Sequence, residues 1–307
     1  MSLSFSDRLT AAIEAKRTAA VVGIYPVLER LPAELQAQGA CTAFAAARAL
    51  EAFGGAVIDA VAPHVPAVKV NSAFFEVFQE AGVAAFYRLI SRAHESGLLV
   101  IADVKRGDIG STARLYARGH LDRPACTDVD PARVPDAVTL AAYLGENAVR
   151  PFIEIAGAQG RGVYILVRPS DPGADQIHEF GGEEKLYQHL ARLVRKWGEG
   201  PELRGACGLS CVGAVVAPKD AVSTAALRES LPNTPFLVPG FGAQGATAES
   251  CRPCFRADGS GAVVNASRSI IYAYERAEDP RQQADWQGCI AQACRRFAAD
   301  IAPLAQF

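Results

Sequence analysis

Asp103, Lys105 and Asp108 sit close together in one stretch, LLVIADVKRGDIGSTARLY, from Leu98 to Tyr116. An ammonium fixed beside carboxylates can stabilise negative charge that develops on a neighbouring carbon and can then deliver a proton to it. The apolar run Leu98 to Ala102, led in by Gly97, reads as a strand buried on both faces. Asp103 and Lys105 are two apart, so on a strand their side chains point the same way, at the end where the strand gives way to a glycine-containing turn. In a parallel barrel that end of a strand is where catalytic groups collect. An Asp-x-Lys pair standing alone would read as an ordinary salt bridge, so the weight of this one comes from its surroundings.

Those surroundings alternate. Ala19 to Ile24 reads as a buried strand stopped by Pro26, followed by an Ala-rich helix from about Thr42 to Val61. Val65 to Val70 reads as a second strand with Lys69 near its end, then a helix from about Ser72 and another from Ala84 to Ser96 that leads into the central strand. Further strands follow at Asp136 to Leu140, Val163 to Val167, from Val212, at Phe236 to Val238 and at Ala262 to Asn265, with a helix from about Glu184 to Trp197 between the fifth and sixth. Short β-branched strands alternating with helices predict a parallel sheet with right-handed crossovers. Eight of them at this length predict one α/β domain, a single (β/α)8 TIM barrel over residues 1–307, with an irregular, Pro- and Asp-rich surface insertion near 120–135. A doubly wound open sheet is the alternative.

The loops after the seventh and eighth strands are Pro239-Gly240-Phe241-Gly242-Ala243-Gln244-Gly245 and Asn265-Ala266-Ser267-Arg268-Ser269. Glycines such as Gly240 and Gly242 let backbone N–H groups approach an anion, and Arg268 offers a rigid bidentate fork at a helix start. Either loop alone would be a tight turn or a surface cation. Both together, in barrel positions seven and eight, predict a phosphate site.

Composition narrows the class. Half of the 307 residues are hydrophobic and 21% are charged, an ordinary globular balance, and a formal net charge of -2 argues against a nucleic-acid binder. No apolar run reaches the length of a membrane span, and MSLSFSDRLTAAIEAKR reads as an amphipathic helix rather than a signal peptide, so a cytoplasmic location is expected. Cys251-x-x-Cys254 with Cys207 and Cys211 has a zinc-like spacing. With no His near either pair, buried thiols in a reducing compartment are the expectation. Nothing in the chain calls for a metal or an organic cofactor. The five histidines are scattered, and no hydrolase triad is suggested.

The pattern Asp103-x-Lys105-x-x-Asp108, continuing into Ile109 and Thr112 directly after a buried strand, resembles the signature of the orotidine 5'-phosphate decarboxylase family in its bacterial form with a Lys-Arg-Gly-Asp-Ile core. The resemblance runs from about Val21 to Tyr274 and is strongest in KVNSAFFE, DVKRGDIGSTA, TPFLVPGFGAQG and NASRSIIYAY. It implies a small-molecule nucleotide substrate, no cofactor, and a homodimer of barrels with shared active sites. It implies that Lys69, Asp103 and Lys105 form a charged set, with Lys105 as electrostatic stabiliser and proton donor. It also implies that Asp108 and Thr112 serve the partner subunit's site, that Ser170 contacts the pyrimidine, and that Gln244 and Arg268 contact the phosphate.

Two positions depart from that pattern. The family's first strand ends in an Asp that binds a ribose hydroxyl; the matching position here is Tyr25, in Val22-Gly23-Ile24-Tyr25-Pro26. Because Pro26 fixes the backbone that follows, Tyr25 is expected to point into the site and offer its neutral hydroxyl to ligand or to Lys69. In Arg168-Pro169-Ser170, Pro169 stands where the family more often has a hydroxyl residue, and it removes one N–H from that edge. Two other functions fit part of the pattern: a related sugar-phosphate decarboxylase that uses magnesium, and a non-catalytic nucleotide-phosphate binder, for which Tyr25 is the only motive.

Overall fold

The eight strands anticipated from the alternation close on themselves. The structure, a computed structural model, describes residues 3–40, 42–122, 130–242 and 245–305. β1 (Ala20–Ile24), β2 (Ala67–Asn71), β3 (Leu99–Arg106), β4 (Ala137–Leu140), β5 (Gly162–Arg168), β6 (Val212–Val216), β7 (Phe236–Val238) and β8 (Ala262–Ala266) form a closed parallel barrel in chain order. Between and around them run α1 (Phe5–Lys16), α2 (Ala33–Gly39), α3 (Ala43–Val61), α4 (Ala73–Glu76), α5 (Gln79–Glu95), α6 (Gly110–Leu121) and α7 (Glu146–Gln159). The second half of the chain adds α8 (Asp175–His178), α9 (Leu186–Trp197), α10 (Ala221–Ser230), α11 (Ala248–Cys251), α12 (Arg268–Ile271), α13 (Pro280–Ala284) and α14 (Trp286–Ile301). None of the described helices is long and apolar enough to cross a membrane.

Every residue of β1, β2, β4, β6, β7 and β8 is buried, because helices cover the outside and side chains fill the inside. The helices start where side chains replace missing backbone partners: the Ser4 hydroxyl accepts from the Asp7 N–H, and Thr42 does the same for Ala45. Two expectations shift. The helix read from about Ser72 is only the short α4, since Gln79 takes a left-handed φ of 50° and starts α5 in a new direction. That helix then runs continuously to Glu95 rather than beginning near Ala84. Of the insertion read near 120–135, residues 123–129 lie outside the described residues; its start belongs to α6 and its end holds a 3-10 turn at Pro131–Arg133.

The end of the barrel opposite the site is closed from both sides of the sequence. Phe5 of α1 enters from below and stands edge-on to Tyr164, with ring centroids 6.0 Å apart. Gly162 is required there, since a Cβ would lie 2.2 Å from the Phe5 ring. Beside this plug lies Asp136, immediately before β4 and 3% exposed. Its Oδ1 accepts from Arg8 at 2.5 Å and from Arg161 at 3.2 Å; its Oδ2 lies 2.9 Å from His94 Nε2 and accepts from the Val100 N–H at 2.8 Å. His94 therefore has a structural role at the barrel's foot, although nothing in the sequence joined it to Asp136.

Burial alone would raise the Asp136 carboxyl, but the hydrogen bond from His94 and the charge of Arg8 outweigh it and bring it down to about 2, from an ordinary 3.8. A carboxylate depressed in the folded state contributes stability that is complete above its unfolded value and is lost as pH falls through the folded one. Asp136→Asn should cost about 3–5 kcal/mol in urea unfolding at neutral pH, because it leaves clustered cations without their anion. The gap between the two proteins should close as pH drops from about 4 toward 2. A constant gap across that window would show that charge is not the cause.

Candidate active site

The C-terminal ends of the first four strands converge on one carboxylate. Asn71 and Asp103 are register partners on β2 and β3, and Gly23, two residues before Tyr25, is the partner of Lys69. Asp103 is 3% exposed and accepts from five groups. Its Oδ2 takes Lys69 Nζ at 2.5 Å, Asn71 Nδ2 at 2.9 Å and the Tyr25 hydroxyl at 3.0 Å. Its Oδ1 takes Lys105 Nζ at 2.7 Å and the Thr139 hydroxyl at 2.8 Å.

The expected same-side placement of Asp103 and Lys105 is met by a different route from simple alternation. β3 runs on to Arg106, but its pairing with β4 shifts register between Ala102 and Arg106, and Lys105 adopts a left-handed φ of 44°. A bulge thus swings the ammonium back toward Asp103. Lys105 remains half-exposed at the mouth of the barrel, whereas Lys69 is buried.

Electrostatics keep Asp103 and Lys69 charged. Burial would raise the Asp103 carboxyl, but Lys69 and Lys105 hold it well below the usual carboxylate range. Burial would lower the Lys69 ammonium, but its contacts with Tyr25 and Asp103 push it above its ordinary value. The Tyr25 phenol is pushed up by burial and by Asp103 against the pull of Lys69, so it is neutral near pH 7. As expected, Tyr25 points inward: its hydroxyl contacts Lys69 and Asp103, and its ring stacks on Phe74 with centroids 5.3 Å apart.

A cavity of about 210 Å³ opens above this cluster. Lys69, Lys105, Asp103, Tyr25, Ser170, Gly240 and Arg268 all line it. Gly240 and Gly242 have φ of 96° and 71°, the left-handed turns that the loop after β7 requires, although Gly242 itself lies outside the cavity lining. Gln244 lies outside the described residues. Asp108 and Thr112 do not line the cavity of their own chain; the Asp108 carboxylate accepts from the Ile109 N–H at 2.7 Å, and Thr112 is exposed on α6.

Among the polar lining residues, Asn71 and Thr139 have no role in the sequence reading, and Asn265 and Ser267 enter it only as members of the loop after β8. Asn71 was findable, since it stands two residues beyond Lys69 on the same strand. Thr139 was the one polar side chain inside an apolar run. Arg168 turns away from the cavity. It is buried, donates to Glu179 and Asp220 at 3.0 and 3.4 Å, and stacks on Tyr187, so it ties the segment after β5 to the start of α10. The thiols of Cys211, Cys251, Cys254 and Cys294 are buried, and burial pushes each of them up.

Residues 48–284 match the model of the Orotidine 5'-phosphate decarboxylase / HUMPS family. The chain belongs to that family. It is 37% identical over 298 residues to orotidine 5'-phosphate decarboxylase of Rhodopirellula baltica, covering 95% of this chain and 96% of that one. The enzyme of the same name from Caldicellulosiruptor saccharolyticus is 33% identical, with 89% and 91% covered. Among solved structures, Leishmania donovani OMP decarboxylase superposes with a TM-score of 0.72 at 30% identity, covering 98% of each chain. In this site the neutral Tyr25 stands beside Lys69 and Asp103, where the sequence resemblance implied an Asp.

Tyr25→Phe keeps the stacking ring and deletes one of the five contacts on Asp103. Urea unfolding should show a loss of about 0.5–1.5 kcal/mol. A cost several times larger would mean that the hydroxyl, rather than the two lysines, holds the cluster together.

Proposed function

We infer that this chain decarboxylates orotidine 5'-phosphate to uridine 5'-phosphate and carbon dioxide, a step of pyrimidine biosynthesis, with Lys105 as the group that stabilises charge and returns the proton. The observation that carries this reading is the Lys105 ammonium held 2.7 Å from a deeply buried carboxylate at the mouth of the cavity. Family membership supplies the substrate. The cavity's charge suits it: three cations, Lys69, Lys105 and Arg268, face one carboxylate, Asp103, and the nucleotide is anionic at both its carboxylate and its phosphate ends.

In the reaction, the bond from the ring carbon to the carboxyl group breaks and its electron pair stays on the ring carbon. That carbon has no carbonyl placed to delocalise the charge well, so a preorganised ammonium is the effective stabiliser. Lys105 then gives a proton to the carbon and is recharged from solvent, which its half-exposed position allows. Asp103 keeps Lys105 oriented, and its own hydrogen bonds to Asn71 and Thr139 hold it in place. Lys69 and Tyr25 offer polar contacts to the ribose. Ser170 is the contact for the pyrimidine, and Gly240, Arg268 and Gln244 are the contacts for the phosphate. With its carboxylate already saturated and two ammonium groups beside it, the cluster is a poor collector of a dication, which favours this reading over a magnesium-dependent one.

The reading includes a cytoplasmic homodimer in which Asp108 and Thr112 complete the partner subunit's cavity. Its support is that neither residue lines the cavity of its own chain, and that Ile109, Leu115 and Tyr116, beside them on the same segment, are exposed apolar side chains.

Lys105→Ala should fold normally and lose at least about 100-fold in carbon dioxide release from orotidine 5'-phosphate. Near-native turnover in the folded variant would remove Lys105 from the chemistry. The shared site has its own assay. Lys105→Ala and Asp108→Ala subunits, each inactive, should regain roughly a quarter of native activity when randomly mixed, since half the dimers are mixed and each holds one intact site. Verified subunit exchange without rescue would place Asp108 in its own chain's site.

A further inference from the structure

Lys105 is held in an unfavourable backbone conformation, and one side chain accounts for how. A non-glycine residue in the left-handed region costs about 1 kcal/mol or more, and such strain persists only where neighbours enforce it. At Lys105, φ is 44° and the ladder between β3 and β4 is out of register, so its N–H has no place in the regular pairing. That N–H donates instead to Thr139 Oγ1 at 3.0 Å. The single hydroxyl proton of Thr139 goes to Asp103 Oδ1 at 2.8 Å, and the same oxygen accepts Lys105 Nζ at 2.7 Å.

These contacts close a ring: from the Lys105 backbone to the Thr139 hydroxyl, to the Asp103 carboxylate, and back to the Lys105 ammonium. A hydroxyl has one proton to give, so its direction here is set: it accepts from the strained backbone and donates to the carboxylate. Thr139 is 1% exposed and fixed in a barrel strand, which gives the ring a rigid support. Asn71 and Lys69 donate to the other carboxylate oxygen, whereas the Lys105 N–H goes to Thr139.

We propose that Thr139 is a positioning residue, whose hydroxyl holds the Lys105 backbone in its left-handed turn and so aims the ammonium at the reacting carbon. It acts through Lys105 and Asp103, not on the substrate. A bulge in β3 would otherwise leave the ammonium on a flexible stem at the barrel mouth, free to sample solvent.

The experiment compares Thr139→Val, which removes the hydroxyl at nearly constant volume, with Thr139→Ser, which keeps it. Two readouts are taken: kcat and KM for orotidine 5'-phosphate, and the rate at which acetic anhydride acylates Lys105 at fixed pH, followed by peptide mass spectrometry. Thr139→Val should lose about 10- to 100-fold in kcat with KM nearly unchanged, and its Lys105 should be acylated faster than in wild type. Thr139→Ser should restore both. If Thr139→Val does not fold, Thr139→Ala makes the same comparison. Equal impairment of the serine and hydroxyl-free variants would mean a packing role and overturn the proposal, as would wild-type kcat and labelling in a folded hydroxyl-free variant. The inference leans on the decarboxylase reading only for its kinetic half. A wild-type protein with no turnover but an intact labelling contrast would refute that reading and leave the positioning role standing.

Discussion

One buried carboxylate organises the working end of this barrel. Asp103 is surrounded by donors from four consecutive strand ends: Tyr25, Lys69 and Asn71, Lys105, and Thr139. A carboxylate without water is tolerable only with its lone pairs filled and its charge answered. Each donor is therefore constrained by the same oxygen atoms, and a shift of one strand end would be felt by all the others. The opposite wall of the cavity is of another kind. Leu166, Val215, Leu237, Pro239 and Phe241 line it with apolar side chains, and the loop after β7 contributes the left-handed Gly240. The cavity thus has an ionic half around Asp103 and a mainly apolar half with Arg268 beside it, where a ligand can be held without competing for Asp103.

Much of this was legible in the amino-acid order. Phe236 to Val238 reads as β7 with its observed bounds, and β8 ends within one residue of its sequence boundary, because short buried apolar runs set off by Pro235 and Pro239, or led in by Gly261, leave little choice. β3 was read too short, at Ala102, since Asp103, Lys105 and Arg106 look like the start of a loop; the barrel keeps them in the strand by pairing Arg106 with Leu140 after a bulge. A left-handed lysine has no signature in composition or periodicity, so the route by which Lys105 meets Asp103 was invisible even though their meeting was foreseen. Thr139 was passed over because a threonine inside a strand is ordinary. His94 and Asp136 meet at the barrel's foot from separate elements, and only the fold brings them together.

Tyr25 shows how a neutral phenol can be built into an ionic cluster. A phenol at the end of β1 is larger than a carboxylate and carries no charge near neutrality. Its ring is accommodated by stacking on Phe74, and its hydroxyl joins the Lys69–Asp103 pair. The consequence is electrostatic: Lys69 answers one carboxylate on its own chain, so more of its positive field is left for a ligand than a second carboxylate would permit.

The plug at the foot of the barrel has a bearing on how the chain is made. Phe5 leaves the ribosome long before β5 does, yet its resting place against Gly162 and Tyr164 is built only when β5 has been synthesised. At about 5–20 residues per second, the interval is on the order of 10–30 s. Over that time Phe5, buried in the finished protein, lacks the β5 surface that covers it. Ring closure comes later still, because β1 cannot pair with β8 until the chain has passed Ala266. The nascent chain therefore carries an unpaired strand edge and an uncovered Phe5 through much of its synthesis, the kinds of surface at which non-native association begins.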